Sequence, residues 1–402
     1  MSLGAGCRCF AWALSLILFC AGSFSSPAEP SHLASALQPF VDRHELAGAV
    51  MLVASKDKVL DLETVGYADI AARKSMRTDA LFWIASMSKP IAATALMMLV
   101  DEGKVRLDDS VDKYLPQFAP GIIGVTADGT AAHLQAPRRA ITIRNLLSHT
   151  SGLPFSSAIE TPTLDLYPLA TRVQSYALEP LMFEPGSDYS YSNAGVNTAG
   201  RIVEVVSGQS YEDFLRTRLF TPLGMIDTTF WPNEAQVERL AKSYKSNVLG
   251  TALEEVPITQ LRYPLTDRTH RYPMPAGGLF STASDLAKFC QMFLNGGTYA
   301  SKRLLSEAAI REMSSSQLSE AVVQRRFSSR TSPTDPTAYG LGWSTFPSGA
   351  FGHGGAYATN LRIDPEHGLA TVWLIQHVNF PGEGAKSHAA FEKAALDIYS
   401  PR

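Results

Sequence analysis

Cysteine is scarce along most of this 402-residue chain. Four occur, and Cys7, Cys9 and Cys20 all fall within the first 20 residues, which leaves Cys290 alone thereafter. One thiol cannot close an internal disulfide, so the fold has to draw its stability from its core. Cys290 lies in the helix-like run Leu286-Ala287-Lys288-Phe289-Cys290-Gln291-Met292-Phe293, where a buried apolar thiol is expected rather than a nucleophile. Past residue 26 no apolar stretch approaches 18 residues, so no membrane-spanning helix is expected there. Basic runs are also missing. The formal net charge is −3 and no basic patch stands out, which argues against nucleic acid as a partner. Repeats and low-complexity tracts are absent. The histidines, His149 and His367 among them, show no metal-ligand spacing of the His-Glu-x-x-His kind, so neither a metal nor another cofactor is expected.

The first 26 residues have the pattern of a secretory signal peptide. Arg8 supplies the positive start, and Phe10 to Ala21 an apolar segment of about a dozen residues, too short to cross a bilayer. Small residues follow at Ala21-Gly22-Ser23 and Ser25-Ser26, which places cleavage near Ser26 to Ala28 and the mature chain in the periplasm or outside the cell. Cys20 raises the question of a lipid anchor, but Phe19 before it is too bulky for the small residue that such processing requires.

About 375 residues remain, enough for a large core in one big domain or two. Ser31 to Leu46 carries the stripe Leu33, Leu37, Phe40 and Val41 behind a Ser cap, which predicts a helix. Ala49 to Ala54 and Val59 to Val65 predict two strands around a Lys56-Asp57 turn, and Leu81 to Ala85 a short buried strand. From about 90 to 275 helical periodicities alternate with Pro and Gly loops. Helices are expected at Asn193 to Val206, Tyr211 to Leu219 and Ser284 to Leu294, and one ends in the glycine turn after Leu146-Leu147. Strand character returns at Gly342 to Phe346, Ala350 to Ala356, Asn360 to Asp364 and Leu369 to Gln376, with a hairpin turn at Pro365-Glu366-His367-Gly368. Gly384 to Tyr399 predicts a closing helix. Strands near both ends and helices between predict an α+β fold. One antiparallel sheet is built from about 31–85 and 335–402, flanked by helices. A mostly helical subdomain is inserted at about 90–275, with a cleft between the two parts.

Chemistry concentrates at Ser86-Met87-Ser88-Lys89. A Ser and a Lys three residues apart on a helix share one face, so the amine reaches the hydroxyl and can take its proton. The same spacing occurs at Ser55/Lys58, inside a predicted hairpin turn, and at Ser110/Lys113, in a charged stretch before a proline. Only Ser86 precedes a long apolar segment, Ile91 to Val100. A plain helix cap with a solvated Lys is the competing reading of Ser86 alone. Tyr191 follows a Pro185-Gly186 loop and precedes a helix. Its phenol is a poor base at a pKa of about 10, and a nearby Lys89 ammonium is expected to favour its ionised form. Tyr189 is the rival, but only Tyr191 has an Asn, Asn193, two positions on. The Asn193 amide both donates and accepts, which suits holding a Lys amine and a substrate together. His353-Gly354-Gly355 lies on a predicted strand where glycines permit close backbone approach. An oxyanion hole needs such an approach, and its expected donors are the N–H groups of Ser86 and Ala356. A lone His beside glycines is otherwise a structural residue. Gly-x-Ser-x-Gly is absent, which counts against an α/β-hydrolase nucleophile elbow.

Ser-x-x-Lys, Tyr-x-Asn about 100 residues later and His-x-Gly about 160 beyond that resemble the class C branch of the serine β-lactamase/penicillin-binding-protein superfamily. Leu-Leu-Ser-His-Thr-Ser-Gly-Leu (146–153), Gly277-Gly278-Leu279-Phe280-Ser281-Thr282 and Tyr339-Gly340-Leu341-Gly342-Trp343 are similar to that branch too, and the likeness spans residues 31 to 399. The resemblance implies a β-lactamase/transpeptidase-like fold and a serine hydrolase. Ser86 would form an acyl-enzyme, Lys89 and Tyr191 would move the proton as a coupled pair, and Asn193, His353, Gly355 and Ala356 would bind substrate. Where class C β-lactamases carry Lys-Thr-Gly, this chain has His353-Gly354-Gly355, which removes a fixed cation and a hydroxyl for a substrate carboxylate. The departure resembles esterase and D-aminopeptidase members. The first expectation is therefore a carboxylesterase acting on small acyl esters. A peptidase acting on D-amino-acid peptides, or a weak β-lactamase, is the second. A non-catalytic penicillin-binding-like protein is the rival of another class. Substrate choice is expected to fall to the loops Pro154–Glu184 and Asn247–Pro275.

Overall fold

The computed structural model describes Met1 and residues 32–119, 123–126, 132–247, 251–330, 335–378, 380 and 382–400. The predicted signal segment and Cys20 lie outside these residues.

Eight strands form one antiparallel sheet. In chain order they are β1 (Gly48–Ser55), β2 (Val59–Asp69), β3 (Lys74–Ser75), β4 (Ala338–Tyr339), β5 (Ser344–Thr345), β6 (Phe351–Gly354), β7 (Asn360–Asp364) and β8 (Leu369–Leu374). Their spatial order is β4-β5-β6-β7-β8-β1-β2-β3, so the first and last parts of the chain meet where β1 pairs with β8, Met51 opposite Trp373. The apolar run of β1 follows from burial on both faces. Val50, Leu52 and Ala54 enter the large core, while Ala49, Met51 and Val53 enter a second layer on the other face. That second layer is closed by helix α1 (His32–Asp42), through Leu33 and Leu37, and by the C-terminal helix, through Phe391 and Ala395.

The large core lies on the opposite face. Helix α2 (Ser88–Asp101) is buried from Ser88 to Leu99, a helix apolar nearly all round because its neighbours surround it. It packs against α3 (Asn193–Ser207), capped by the Ser192 hydroxyl, which accepts the Gly195 N–H, and ended by Gly208 at φ +69°. Helix α4 (Ala283–Leu294) covers β1 and β8, and α5 (Lys386–Tyr399) ends the chain. No helix among the described residues is long and apolar enough to cross a membrane.

Several elements are shorter than their sequence patterns. The Leu81–Ala85 strand reduces to Phe82–Trp83, because Ala85 takes φ +45° and turns the chain out of the sheet direction. The Ala350–Ala356 strand stops at Gly354, where the Gly355 N–H bonds the Thr359 carbonyl at 2.7 Å and closes a tight turn. The Gly342–Phe346 strand reduces to β5, because Gly342 adopts φ +77° where a Cβ would sit 2.6 Å from Ala93. The Tyr211–Leu219 helix breaks after Leu215 into a π turn over Arg216–Phe220, since Pro222 cannot donate to the preceding turn. The middle also holds two small hairpins that its helical pattern did not show, Ile123–Thr126 with Ala132–Gln135 and Ser243–Ser246 with Leu253–Val256.

The two rival Ser-x-x-Lys sites resolve as turns. The Ser55 hydroxyl accepts the N–H groups of Asp57 and Lys58 within the β1–β2 hairpin. Ser110 precedes a single 3-10 turn over Val111–Lys113.

Trp343 joins α4 to the sheet. Its ring lies 4.9 Å from Phe293 and 5.1 Å from Phe351, centroid to centroid, and it is fully buried. Trp343→Ala should lower unfolding free energy by about 3–5 kcal/mol in urea titration. A loss under about 1 kcal/mol would show that the cluster does not hold the two layers together.

Candidate active site

Ser86 sits where a strand becomes a helix. Phe82–Trp83 pairs with Phe280–Ser281, and the Ile84 N–H bonds the Leu279 carbonyl at 3.0 Å. Ala85 then adopts its left-handed φ, which costs a non-glycine residue about 1–2 kcal/mol. The resulting 3-10 turn, Ala85–Met87, runs into α2. Ser86 is left half-buried, with Lys89 one turn below it and fully buried.

The Lys89 Nζ has three partners: Asn193 Oδ1 at 2.8 Å, the Ala276 carbonyl at 2.8 Å and Ser86 Oγ at 3.1 Å. The first two can only accept. A neutral amine has two N–H bonds and one lone pair. Satisfying Asn193 and Ala276 uses both N–H bonds and leaves the lone pair towards Ser86 Oγ. Burial favours that neutral form, holding the Lys89 pKa well below its ordinary 10.5.

Tyr191 lies over the same amine, with Nζ 4.5 Å from its ring centre. The sequence suggested that a Lys89 ammonium would draw Tyr191 towards phenolate. The structure reverses that expectation. Burial raises the Tyr191 pKa above 10, and a hydrogen bond with Ser86 only partly opposes the rise. Burial lowers the Lys89 pKa as well, which weakens the cationic form that would stabilise a phenolate. Tyr189 packs edge-on against Phe327 at 5.2 Å and against His149 at 5.9 Å rather than over the Lys89 amine.

His353 is buried at the end of β6. Its Nδ1 bonds the Gly354 carbonyl at 2.7 Å, and its Nε2 lies 3.0 Å from the Tyr339 hydroxyl. The carbonyl can only accept, so Nδ1 carries the hydrogen and Nε2 accepts from Tyr339. Burial lowers its pKa to about 3, so the imidazole is neutral at pH 7. Gly355 fits where no side chain would, since a Cβ there would lie 2.6 Å from the Ile84 carbonyl and 2.1 Å from Thr359 Oγ1. That approach sets the exposed Ala356 turn beside the Ser86 turn. The Ala356 N–H has no hydrogen-bond partner among the described residues. Ser86, Lys89, Tyr191 and Asn193 are thus brought into contact, with His353, Gly355 and Ala356 along the adjoining strand end.

Four participants carried no sequence assignment. The Ala276 carbonyl is held in place by its own N–H, which bonds Asn197 Oδ1 at 3.0 Å. His149 and Tyr339 stack beside Tyr191 and each other, at centroid distances of 4.4 Å for His149–Tyr191 and 4.6 Å for His149–Tyr339. Both belong to segments that the resemblance had marked without giving them a role. Phe155 is half-exposed, its ring stacked 6.4 Å from that of Tyr191, and its carbonyl accepts the Asn193 and Ala194 N–H groups at 3.0 and 3.1 Å. The two loops marked for substrate choice are tied together through Asp165. Its carboxylate pairs with Arg271 at 2.7 Å and accepts the Arg262 N–H at 2.9 Å, and both members of the ion pair are buried. Cys290 is buried, with its pKa raised to about 12 by desolvation, which leaves it an inert thiol.

Comparison with known proteins adds the lineage. Residues 33–395 match the family model described as Beta-lactamase. The chain is 31% identical over 354 residues to penicillin-binding protein 4 of Amycolatopsis lactamdurans, covering 87% of this chain and 85% of that protein. It is 36% identical over 214 residues to esterase EstB of Burkholderia gladioli, about half of each chain. Its fold matches EstCE1, described as a hydrolase with promiscuous acyltransferase activity, at a TM-score of 0.74 and 24% identity, over 90% of this chain and 97% of that one. The chain belongs to the Beta-lactamase family, the serine β-lactamase/penicillin-binding-protein superfamily of hydrolases.

Proposed function

We propose that this chain is an exported carboxylesterase that cleaves small acyl esters through an acyl-enzyme on Ser86. The observation that carries the reading is the fully buried Lys89 amine, held between Asn193, the Ala276 carbonyl and Ser86 Oγ, with burial lowering its pKa well below the ordinary value.

The steps follow from that geometry. Lys89 takes the Ser86 proton as Oγ bonds to the ester carbonyl carbon, and the carbonyl π pair moves onto oxygen. The N–H groups of Ser86 and Ala356 receive the oxyanion. When the oxyanion collapses, the bond to the alkoxide breaks. The alkoxide leaves with a proton drawn from the Lys89–Tyr191 pair, and the un-ionised Tyr191 phenol is suited to pass it on. Water then repeats the sequence on the acyl-enzyme and releases the acid. Ser86 needs no metal to become nucleophilic on this scheme, and no cofactor is assigned.

Two features favour esters over peptides ending in a carboxylate. His353 is a neutral imidazole with both nitrogens engaged, and Gly354 has no hydroxyl. Phe155 offers an apolar wall beside Tyr191. A D-amino-acid peptidase is the second reading, favoured by the likeness to an Escherichia coli protein described as a putative D-alanyl-D-alanine carboxypeptidase, 26% identical over 80% of this chain. Export is proposed on the apolar leader of the first 26 residues.

A panel of p-nitrophenyl acetate, p-nitrophenyl butyrate and a D-Ala-terminated peptide separates the readings. The esters should be cleaved, with mass spectrometry finding an acyl group on the Ser86 peptide, and Ser86→Ala should reduce hydrolysis to background. Release of D-alanine with the higher kcat/KM would favour the peptidase, and failure on all three would favour a binding protein. Phe155→Ala should raise KM for the butyrate about fivefold, equivalent to about 1 kcal/mol of apolar contact, with a smaller change for the acetate. Equal changes for both esters would remove Phe155 from the acyl or alcohol wall.

A further inference from the structure

We propose that His149 is a positioning residue that holds the Tyr191 phenol against Ser86 by gripping the backbone on both sides of Tyr191. The proposal deepens, and rests on, the reading of this site as a Ser86 hydrolase. The Ser190 N–H bonds the His149 carbonyl at 3.0 Å, and the Ser192 N–H bonds His149 Nδ1 at 3.1 Å. One residue thus takes the peptide N–H on each side of Tyr191, and its imidazole packs on the phenol ring at 4.4 Å. Tyr339 packs on the same imidazole at 4.6 Å, and Tyr189 meets it edge-on at 5.9 Å.

The conformation of His149 agrees with that task. It adopts φ +60°, a left-handed backbone that few side chains take without strain, although His and Asn are found there more than most. Both its carbonyl and its ring reach the 190–192 segment from that conformation. The imidazole is fully buried, and burial keeps it neutral, well below its ordinary pKa. Because Nδ1 accepts from a backbone N–H, the hydrogen must reside on Nε2. That Nε2 is buried with no hydrogen-bond partner among the described residues. A buried donor left unpaired is costly, so this imidazole is not explained by hydrogen bonding at both nitrogens. What it supplies is the Nδ1 acceptor and the ring face, both directed at the Tyr191 segment.

Three variants separate the parts. Asn places an acceptor near the Nδ1 position and tolerates the left-handed backbone, so His149→Asn should stay within about fivefold of wild-type kcat. His149→Gln carries its amide further out, where Nε2 was, and His149→Leu has no acceptor. Both should lose about ten- to a hundredfold in kcat on p-nitrophenyl butyrate, with KM within about threefold. In protein labelled with 3-fluorotyrosine, the ¹⁹F resonance assigned by Tyr191→Phe should shift in the Gln and Leu variants and hold its place in the Asn variant. The proposal is overturned if Gln and Leu keep wild-type kcat and an unmoved resonance, or if Asn falls as far as Leu by both readouts. If Leu fails to fold, the Gln and Asn pair decides. A wild-type protein that never acylates Ser86 would sink the hydrolase reading instead, and the fluorine shifts would still report on the grip.

Discussion

A lysine amine sealed from water organises this molecule. Lys89 is fully buried, and its partners come from separate stretches of chain: Ser86 one turn away, Asn193 at the start of α3, and the Ala276 carbonyl in a loop. Each contact depends on packing elsewhere. The loop reaches Lys89 because Asn197 of α3 holds the Ala276 N–H, and because Gly200 leaves room for Pro275, where a Cβ would lie 2.4 Å from the proline ring. Helix α2 lies close enough to α3 because it is apolar on nearly every face. The chemistry of one amine is thereby a property of the whole core.

Four ionisable groups near Lys89 are held towards their neutral forms. Tyr191 and Tyr339 are pushed towards the un-ionised phenol, and His149 and His353 towards the neutral imidazole, in each case chiefly by burial. In the proposed mechanism such a site directs the Ser86 and Ala356 N–H groups at the place where an oxyanion forms. Backbone strain is stored on both sides of it, at Ala85 beside Ser86 and at His149 near Tyr191. The sheet, packed on both faces, and the aromatic joint of Trp343 with α4 hold these conformations in place.

The sheet was legible in sequence because both faces of β1 and β8 are buried, which writes continuous apolar runs such as Ala49–Ala54 and Leu369–Leu374. Ser86 with Lys89 and Tyr191 with Asn193 were legible because helical spacing and a loop before a helix fix their relative placement. Other features were not. A carbonyl such as that of Ala276 has no side-chain signature, so its part at Lys89 appears only when the chain closes. The His149 grip joins residues more than 40 positions apart and depends on a left-handed backbone that no residue type demands. The direction of the Tyr191 shift is not legible in sequence, which shows a neighbouring amine but not the burial that lowers one pKa and raises the other. The polar Ser243–Ser246 strand and the π turn at Arg216–Phe220 follow from tertiary pairing and from Pro222, against the local periodicity.

The proposed mechanism requires Lys89 to be neutral at working pH, with its lone pair facing Ser86. The pH dependence of the Ser86 acylation rate, followed by stopped flow with p-nitrophenyl butyrate, tests it most directly. A base acts when deprotonated, and a depressed pKa moves that state to lower pH. The rate should therefore rise and reach its plateau well below pH 10.5, the ordinary value for a lysine. A rise still centred near 10.5 would mean that the amine is charged at neutral pH, and that contradicts the account.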